Sequence, residues 1–184
     1  MKYELTKETV PWMGRTLYRI RATASFGIVI KGELGGFIES DKNLSTAGDA
    51  WVYGNARVWG DAQVYGNAQV WGDAQVYGNA RVWGNAQVYG DAQVWGDAQV
   101  CGNAQVYGDA QAIISPINVI GLPHIITITD AHIAIGCNLF THAEFRKLTA
   151  KKAAELGSTA VIYRRYHKLI SGLLTAILKD RRAK

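Results

Sequence analysis

The sequence predicts a mainly β protein that is built on a short parallel β-helix of about four coils. A six-residue unit (Ala, Gln or Arg, Val, Tyr or Trp, Gly, Asn or Asp) repeats from Ala50 to Gln111 without an insertion. Val recurs at every sixth position from Val52 to Val106, and a Gly follows two residues after each of these Val residues. Strict regularity of this kind is typical of stacked repeats.

Each unit is predicted to be a short strand followed by a corner. Side chains alternate between the two faces of a strand, so that Ala62 and Val64 share one face and Gln63 and Tyr65 share the other. The Gly and the Asn or Asp that follow tolerate a positive φ, which suits a tight corner. We therefore expect Ala and Val in the interior, and Gln, Arg, Tyr and Trp on the outer surface.

Two architectures are compatible with such units. An antiparallel meander of two-residue hairpins would leave an Ala and Val face too shallow to form a core. A coil with three sides places identical positions about 4.8 Å apart in neighbouring coils. Val52 then lies beneath Val70, which lies beneath Val88. Because strict six-residue regularity favours stacking, we predict the coil.

The coil region at residues 34–112 begins with a less regular turn. Ile38 and Leu44 have the spacing of one repeat unit, but two additional residues intervene before Val52. This spacing predicts one irregular coil that leads into the regular ones, with a small loop at residues 46–48.

Residues 1–33 are expected to form an N-terminal β cap. Apolar and polar side chains alternate roughly over residues 16–21, and residues 26–30 are largely apolar. We predict two short strands, joined near Ser25, that cover the open end of the coil region, because that end would otherwise expose unpaired backbone groups.

Residues 113–184 form the third predicted region. The six-residue repeat stops after Gln111, and two apolar segments follow at residues 125–129 and 132–135. They predict a β-hairpin that turns at residues 130–131.

Two helices are predicted after this hairpin. Thr141 and Glu144 have the spacing of a capping box, which predicts the start of a helix that ends near Gly157. A second helix is expected from Ser158, because the apolar residues that follow recur at helical spacing.

The repeats resemble a known family. Units such as residues 52–57 are similar to the hexapeptide repeat of left-handed parallel β-helix proteins, which include acyltransferases and gamma-class carbonic anhydrases. The lead-in at residues 34–40, residues 43–45 and the segment 135–137 resemble those of small hexapeptide-repeat proteins encoded by phages and prophages. The resemblance implies a left-handed coil over residues 34–112, but it implies no settled activity.

Large aromatic residues alternate on the predicted outer surface. Stacked into coils, they form ladders that stabilise neighbouring strands. The same surface is also apolar enough to favour homo-oligomerisation as a trimer or dimer, or a ligand that stacks between the rings. The residues expected on these oligomer or aromatic faces are Tyr53, Trp59, Tyr65, Trp71, Tyr77, Trp83, Tyr89 and Trp95.

One column of corner residues is acidic. Asp73, Asp91 and Asp109 are each separated by one full coil of three repeat units, so they would lie above one another. A cation could bind between them, but we favour screening of the column by water and salt, and we expect no metal.

The residues that catalysis would require are absent from the predicted coils. Related acyltransferases and carbonic anhydrases use histidines in or near the coils, whereas residues 34–112 contain none. The four histidines of the chain match no zinc-ligand spacing. Cys137 with His142 is a weak nucleophile pair, and a buried structural cysteine is the simpler interpretation. We therefore expect neither an enzyme nor a cofactor.

Charge is concentrated at the end of the chain. Residues 46–112 contain six Asp and two Arg, whereas residues 140–184 contain eleven Lys and Arg and three Asp and Glu. This pattern predicts an anionic partner, such as a nucleotide, or attraction between subunits. The acidic coil region disfavours general nucleic-acid binding. The candidate ligand-binding residues are His142, Arg146, Tyr163, Arg164, Arg165 and Lys168.

Three functions remain compatible with the sequence. The first is a non-catalytic, homo-oligomeric binding protein that captures an anionic host ligand or a host protein; the phage resemblance implies a nucleotide immune signal and inhibition of host defence. The second is a structural scaffold that assembles through its aromatic faces. The third is an acyltransferase-like enzyme at a subunit interface.

Composition indicates the cellular setting. The chain has only two cysteines and no apolar segment of about 18 residues, and Glu4, Glu8 and Arg15 interrupt its first 30 residues, so we expect no signal peptide. We expect a cytoplasmic protein without a membrane partner, in the host cytoplasm if it is encoded by a phage.

Overall fold

The computed structural model describes residues 1–119, 122, 124–136, 138–156 and 158–182. In the last helix, only the backbone is described at residues 158–162, 164–165 and 180–182. The chain divides into two compact units, Met1–Pro116 and Ile117–Lys184.

The first unit opens with a hairpin that extends one sheet of the coils. Strand β1 (Tyr3–Trp12) pairs with β2 (Arg15–Ala22), and β2 pairs with β3 (Leu34–Ile38), in both cases antiparallel. The sequence did not predict β1. The predicted strand at residues 26–30 is wrong, because these residues form a tight turn in which Phe26 and Val29 make a single bridge. Gly27 in that turn has a φ of 50°, which interrupts an extended strand.

Within residues 51–112, all of which are described, eleven two-residue strands build the coils. The strands β4 to β14 are, in chain order, Trp51–Val52, Arg57–Val58, Gln63–Val64, Gln69–Val70, Gln75–Val76, Arg81–Val82, Gln87–Val88, Gln93–Val94, Gln99–Val100, Gln105–Val106 and Gln111–Ala112. Together with β3 they form three stacks of parallel strands, in the orders β3-β5-β8-β11-β14, β4-β7-β10-β13 and β6-β9-β12.

The register of these strands confirms the predicted three-sided coil. Val52 pairs with Val70 and Val70 with Val88, each time in the parallel strand that lies three repeat units further along the chain. The Ala and Val side chains of the repeats are buried in the interior. The antiparallel meander is thereby excluded, and the mainly β class with about four coils is confirmed.

The irregular first coil is confirmed by its register. Ile38 pairs with Val58 and Leu44 with Val64, so that these partners are separated by two more positions than Val52 and Val70 are. The two additional residues fall in the loop before Val52, as the spacing predicted.

Buried polar side chains cover the N-terminal end of the coils. Lys2 Nζ donates hydrogen bonds to the carbonyl oxygens of Gly48 and Ala50, at 3.0 and 2.8 Å. The Tyr3 hydroxyl donates to the carbonyl of Leu44 at 2.7 Å. These contacts satisfy acceptors that have no preceding coil to pair with.

The second unit contains an antiparallel sheet. Strands β15 (Ile117–Val119), β16 (Ile126–Ile128), β17 (His132–Ile135) and β18 (Asn138–Thr141) pair in chain order. The predicted hairpin is confirmed by the pairing of β16 with β17.

Three helices lie in the described part of residues 142–182. They are α1 (His142–Lys147), α2 (Ala150–Glu155) and α3 (Ser158–Arg182). The capping box of Thr141 and Glu144 is confirmed at the start of α1. The single helix predicted to reach residue 157 is wrong, because the side chain of Thr149 accepts a hydrogen bond from the Lys152 amide and starts α2. Among the helices that the structure describes, none is long and apolar enough to cross a membrane.

Candidate functional site

Aromatic side chains form three columns along the outside of the coils. The ring centroids of Trp71 and Tyr89 lie 4.4 Å apart, with an angle of 3° between the planes. Because the faces of stacked rings contact each other, the columns present ring edges to the outside. The same parallel stacking is found for Trp59 with Tyr77, Tyr77 with Trp95, Tyr65 with Trp83, and Tyr89 with Tyr107, which confirms the predicted ladders over these pairs.

Tyr53 departs from the predicted ladder. Its ring lies edge-on to that of Trp51, at 84° and 6.5 Å between centroids, and the described rings include no stack between Tyr53 and Trp71. Tyr53, Gln69 and Trp71 line an open recess of about 320 Å³ instead. Burial, and secondarily the carboxylate of Glu33, raise the pKa of the Tyr53 hydroxyl.

The hairpin covers the first ring of another column. Trp59 is only 4% exposed, because Trp12 lies edge-on against it at 6.3 Å between centroids. The guanidinium of Arg57 lies 4.1 Å from the Trp12 ring centroid and adds a cation–π contact. Trp59 therefore contributes to the core rather than to an exposed face.

A recess lies beside the first ring of the third column. It has a volume of about 450 Å³ and combines an aromatic ring with polar and charged groups. Its lining residues are Asp41, Lys42, Leu44, Ser45, Thr46, Gln63, Val64 and Tyr65.

In the second unit, two of the predicted ligand-binding residues belong to the packed interior. His142 is 9% exposed, and its Nε2 atom lies 3.2 Å from the carbonyl oxygen of His132. Burial lowers the pKa of His142, which favours a neutral imidazole. The ring of Tyr163 is half-buried, packs against the core and lies 4.5 Å from the ring of His167 between centroids.

Arg146, one of the predicted ligand-binding residues, lines a recess of the second unit. Its Nη2 atom donates a hydrogen bond to the Thr175 hydroxyl at 3.2 Å. Arg146, Thr175, Leu178 and Lys179 line a space of about 370 Å³. The sequence did not single out Thr175 or Lys179, although both lie at helical spacing from Lys168.

Lys168 is exposed on α3, and the structure describes no contact between it and Arg146. The side chains of Arg164 and Arg165, and residue Cys137, lie outside the described residues. Of the predicted ligand-binding residues with described side chains, Arg146 and Lys168 remain accessible, whereas His142 and Tyr163 support the fold.

Comparison with known families identifies the repeat. The family model of the YdcK beta solenoid repeat matches residues 50–66, 74–90 and 98–112. These segments coincide with the coils described above. The repeat region is a β-solenoid. No curated protein is significantly similar to the chain.

The corners of the β-solenoid carry polar ladders. Asn67 Nδ2 donates to Asn85 Oδ1 at 3.2 Å, and Asn79 Nδ2 donates to Asp97 Oδ1 at 3.0 Å. Asp73 and Asp91 lie in the neighbouring acidic column and are exposed. Among the described residues, no group of three or more His, Cys, Asp or Glu side chains could hold a metal ion.

Proposed function

We propose that this protein is a non-catalytic binding protein whose helical unit captures an anionic ligand at Arg146. The observation that carries the proposal is the convergence of Arg146 and Lys179 on one recess of about 370 Å³. Among the side chains that the structure describes, neither cation has a carboxylate partner within salt-bridge distance, so both charges remain available to an anion.

The geometry of the recess favours a compact anionic group. The guanidinium of Arg146 is held by Thr175 and can donate two parallel hydrogen bonds to a phosphate or carboxylate. Leu178 adds an apolar wall on which a ring or an alkyl group can pack. A nucleotide combines these two features, and the similarity to phage-encoded hexapeptide-repeat proteins supports a host nucleotide signal as the ligand.

Calorimetry with a panel of mononucleotides and cyclic dinucleotides tests this proposal. We expect the Arg146→Gln variant to bind at least about tenfold more weakly than the wild type, because it loses charge-assisted hydrogen bonds. Lys151→Gln is the matched control, because Lys151 is exposed on α2 and its substitution removes the same charge away from the recess. Equal losses in the two variants would show a diffuse charge effect and would contradict a site at Arg146.

The aromatic columns favour a second candidate function, self-assembly. Each column presents the ring edges of half-buried side chains, such as Trp71 and Tyr89, as an apolar strip along one side of the β-solenoid. We propose a homo-oligomer, with left-handed coils as in the hexapeptide-repeat proteins that the chain resembles. Sedimentation of the pure protein tests assembly, and a monomer at every concentration used would exclude this candidate.

A further inference from the structure

One aromatic column stops one position short of the N-terminal end of the β-solenoid. Tyr65 stacks on Trp83 at 5.6 Å between centroids, with an angle of 3° between the planes. Leu44 pairs with Val64, and the Ser45 amide donates to the carbonyl of Val64 at 2.9 Å, so Ser45 occupies the next position of the column. A small hydroxymethyl group therefore stands where an aromatic ring would continue the ladder.

The missing ring leaves a recess with a defined shape and chemistry. The recess has a volume of about 450 Å³ and lies between Tyr65 and the irregular first coil. The Tyr65 ring is half-buried, and the described residues include only one ring in contact with it, that of Trp83. One face of Tyr65 is thus left for a further ring, in the geometry that the rest of the column already uses.

Polar groups surround the place of the missing ring. Gln63 is exposed at its edge and offers an amide donor and an amide acceptor. The hydroxyls of Ser45 and Thr46 also line the recess. Ser45 Oγ accepts a hydrogen bond from the Ala47 amide at 3.1 Å and keeps its proton available as a donor. Donors and acceptors of this kind recognise the edge of a heteroaromatic ring.

The charges at the recess disfavour an anion. Lys42 Nζ is paired with Asp61 Oδ1 at 2.8 Å, and Asp41 adds a second carboxylate to the surroundings. One ammonium faces two carboxylates, so a phosphate would meet net negative charge. The ligand is therefore not expected to be an anion, and an uncharged ring avoids this repulsion.

We infer that this recess binds a planar, uncharged heteroaromatic ring of the nucleobase or nucleoside class, stacked on Tyr65 as the next ring of the column. The inference is independent of the anion site proposed for the helical unit, because every group that carries it lies in residues 41–83. Stacking of a base on an aromatic side chain supplies the affinity, and the amide and hydroxyl groups orient the ring.

Ligand-observed NMR and calorimetry with adenosine as the probe test this site. We expect saturable binding at roughly millimolar concentration or below. The Ser45→Trp variant places a ring in the empty position of the column and should abolish binding. Tyr65→Ala should weaken it about tenfold, whereas Tyr65→Phe should retain it.

Trp71→Ala is the matched control. Like Tyr65, Trp71 is the first stacked ring of its column, and it stacks on Tyr89. Its substitution therefore removes an equivalent ring, but one that lies beside a different recess. Binding that is lost in Trp71→Ala and kept in Tyr65→Ala would overturn the assignment. So would the absence of saturable binding to adenosine, or tighter binding of AMP than of adenosine by a variant that lacks Arg146.

Discussion

Single polar side chains terminate the β-solenoid at its N-terminal end. Asn43 is fully buried, and its Nδ2 atom donates to the carbonyl oxygens of Gly60 and Ala62 at 3.0 and 2.9 Å. Its Oδ1 atom accepts a hydrogen bond from the Ser40 amide at 3.0 Å. One amide side chain thus replaces the backbone donors that these two carbonyls would otherwise need, and it also satisfies the Ser40 amide.

We predict that Asn43→Ala destabilises the protein by about 3 kcal/mol, because buried backbone groups lose their partners and cannot reach water. The free energy of unfolding in urea measures this loss. Asn79→Ala is the control, because the Asn79 side chain bonds Asp97 at an exposed corner, and its removal should cost less than about 1 kcal/mol. Similar losses at the two positions would contradict a special role for Asn43.

Lys2 gives the protein a pH-dependent stability. Burial lowers the pKa of Lys2 from 10.5 to about 8, and the nearby carboxylate of Asp49 only partly offsets this effect. Between these two pH values the unfolded chain binds more protons at this site than the folded chain, so the Lys2 contribution to stability rises with pH. Below about pH 8 the penalty for burying the charge is fully present.

We predict a steeper rise of stability with pH in the wild type than in Lys2→Met between pH 8 and 10.5, by up to about 1.4 kcal/mol per pH unit. Urea unfolding of both proteins at several pH values measures the difference. Burial also raises the pKa of Tyr3, and this shift lowers the stability of both proteins at still higher pH. The difference between the wild type and Lys2→Met therefore isolates the contribution of Lys2. Parallel pH profiles would show that Lys2 is fully solvated in the folded state.

At the scale of the element, the corners determine how closely coils stack. Gly72 has a φ of 73°, and a Cβ atom there would lie 3.0 Å from the backbone nitrogen and oxygen of Gly90 in the next coil. Gly102 has a φ of 65°, but a Cβ atom there would meet no atom within 4 Å. Glycine is therefore required at position 102 only by the positive φ, whereas at position 72 it is required both by the positive φ and by the close approach of the next coil.

We predict that Gly102→Ala costs about 1–2 kcal/mol through left-handed backbone strain alone. Gly72→Ala should cost more, because the neighbouring backbone must also move away. Thermal and urea unfolding of the two variants measure the difference. An equal loss of stability would mean that the coils relax freely around an added methyl group.

The sequence predicted the fold best in the repeat region, where the same buried Val position recurs in every unit. The three-sided coil and its irregular entry at Leu44 followed from spacing alone, because Val positions can stack only in one register. Strand β1 was missed because its largely polar run, which includes Pro11, lacks a clear apolar alternation. The break between α1 and α2 depends on a hydrogen bond from the Lys152 amide to Thr149, which competes locally with helix continuation.

The candidate sites were less predictable because they depend on contacts between distant residues. Arg146 could be named from its charge, but its partner Thr175 lies far along the chain, on a different helix. The recess beside Tyr65 arises from the small size of Ser45 at a column position. A register count from the irregular coil would have identified that position, since Ser45 precedes Tyr65 by the same interval that separates Leu44 from Val64.

At the scale of the whole molecule, the two compact units should respond differently to acid. His142 is buried in the second unit, and burial lowers its pKa from the ordinary value of 6.5, with the charges of His132 and Arg146 as smaller contributions in the same direction. The unfolded chain therefore binds a proton at His142 more readily than the folded unit. The stability of this unit falls as the pH decreases below about 6.5.

We predict that the helical signal in circular dichroism melts at a lower temperature at about pH 5 than at about pH 7. The signal of the stacked aromatic rings should change less, because His142 lies outside the β-solenoid. His142→Gln should reduce the shift of the helical transition. A single transition that reports both signals equally at each pH would contradict separate responses of the two units.

The number of sides of the β-solenoid has a consequence for its growth. Tyr and Trp alternate from unit to unit between Tyr53 and Trp95, and a coil contains three units, an odd number. The stacked rings between Trp59 and Trp95 therefore meet a ring of the other kind, as in Trp59, Tyr77 and Trp95. Deletion of one coil would preserve the parallel sheets but would stack Trp on Trp. Deletion of two coils would preserve the sheets and also the stacking of Trp on Tyr. A β-solenoid of this sequence pattern can therefore gain or lose coils only in even numbers if every Trp is to remain stacked on a Tyr.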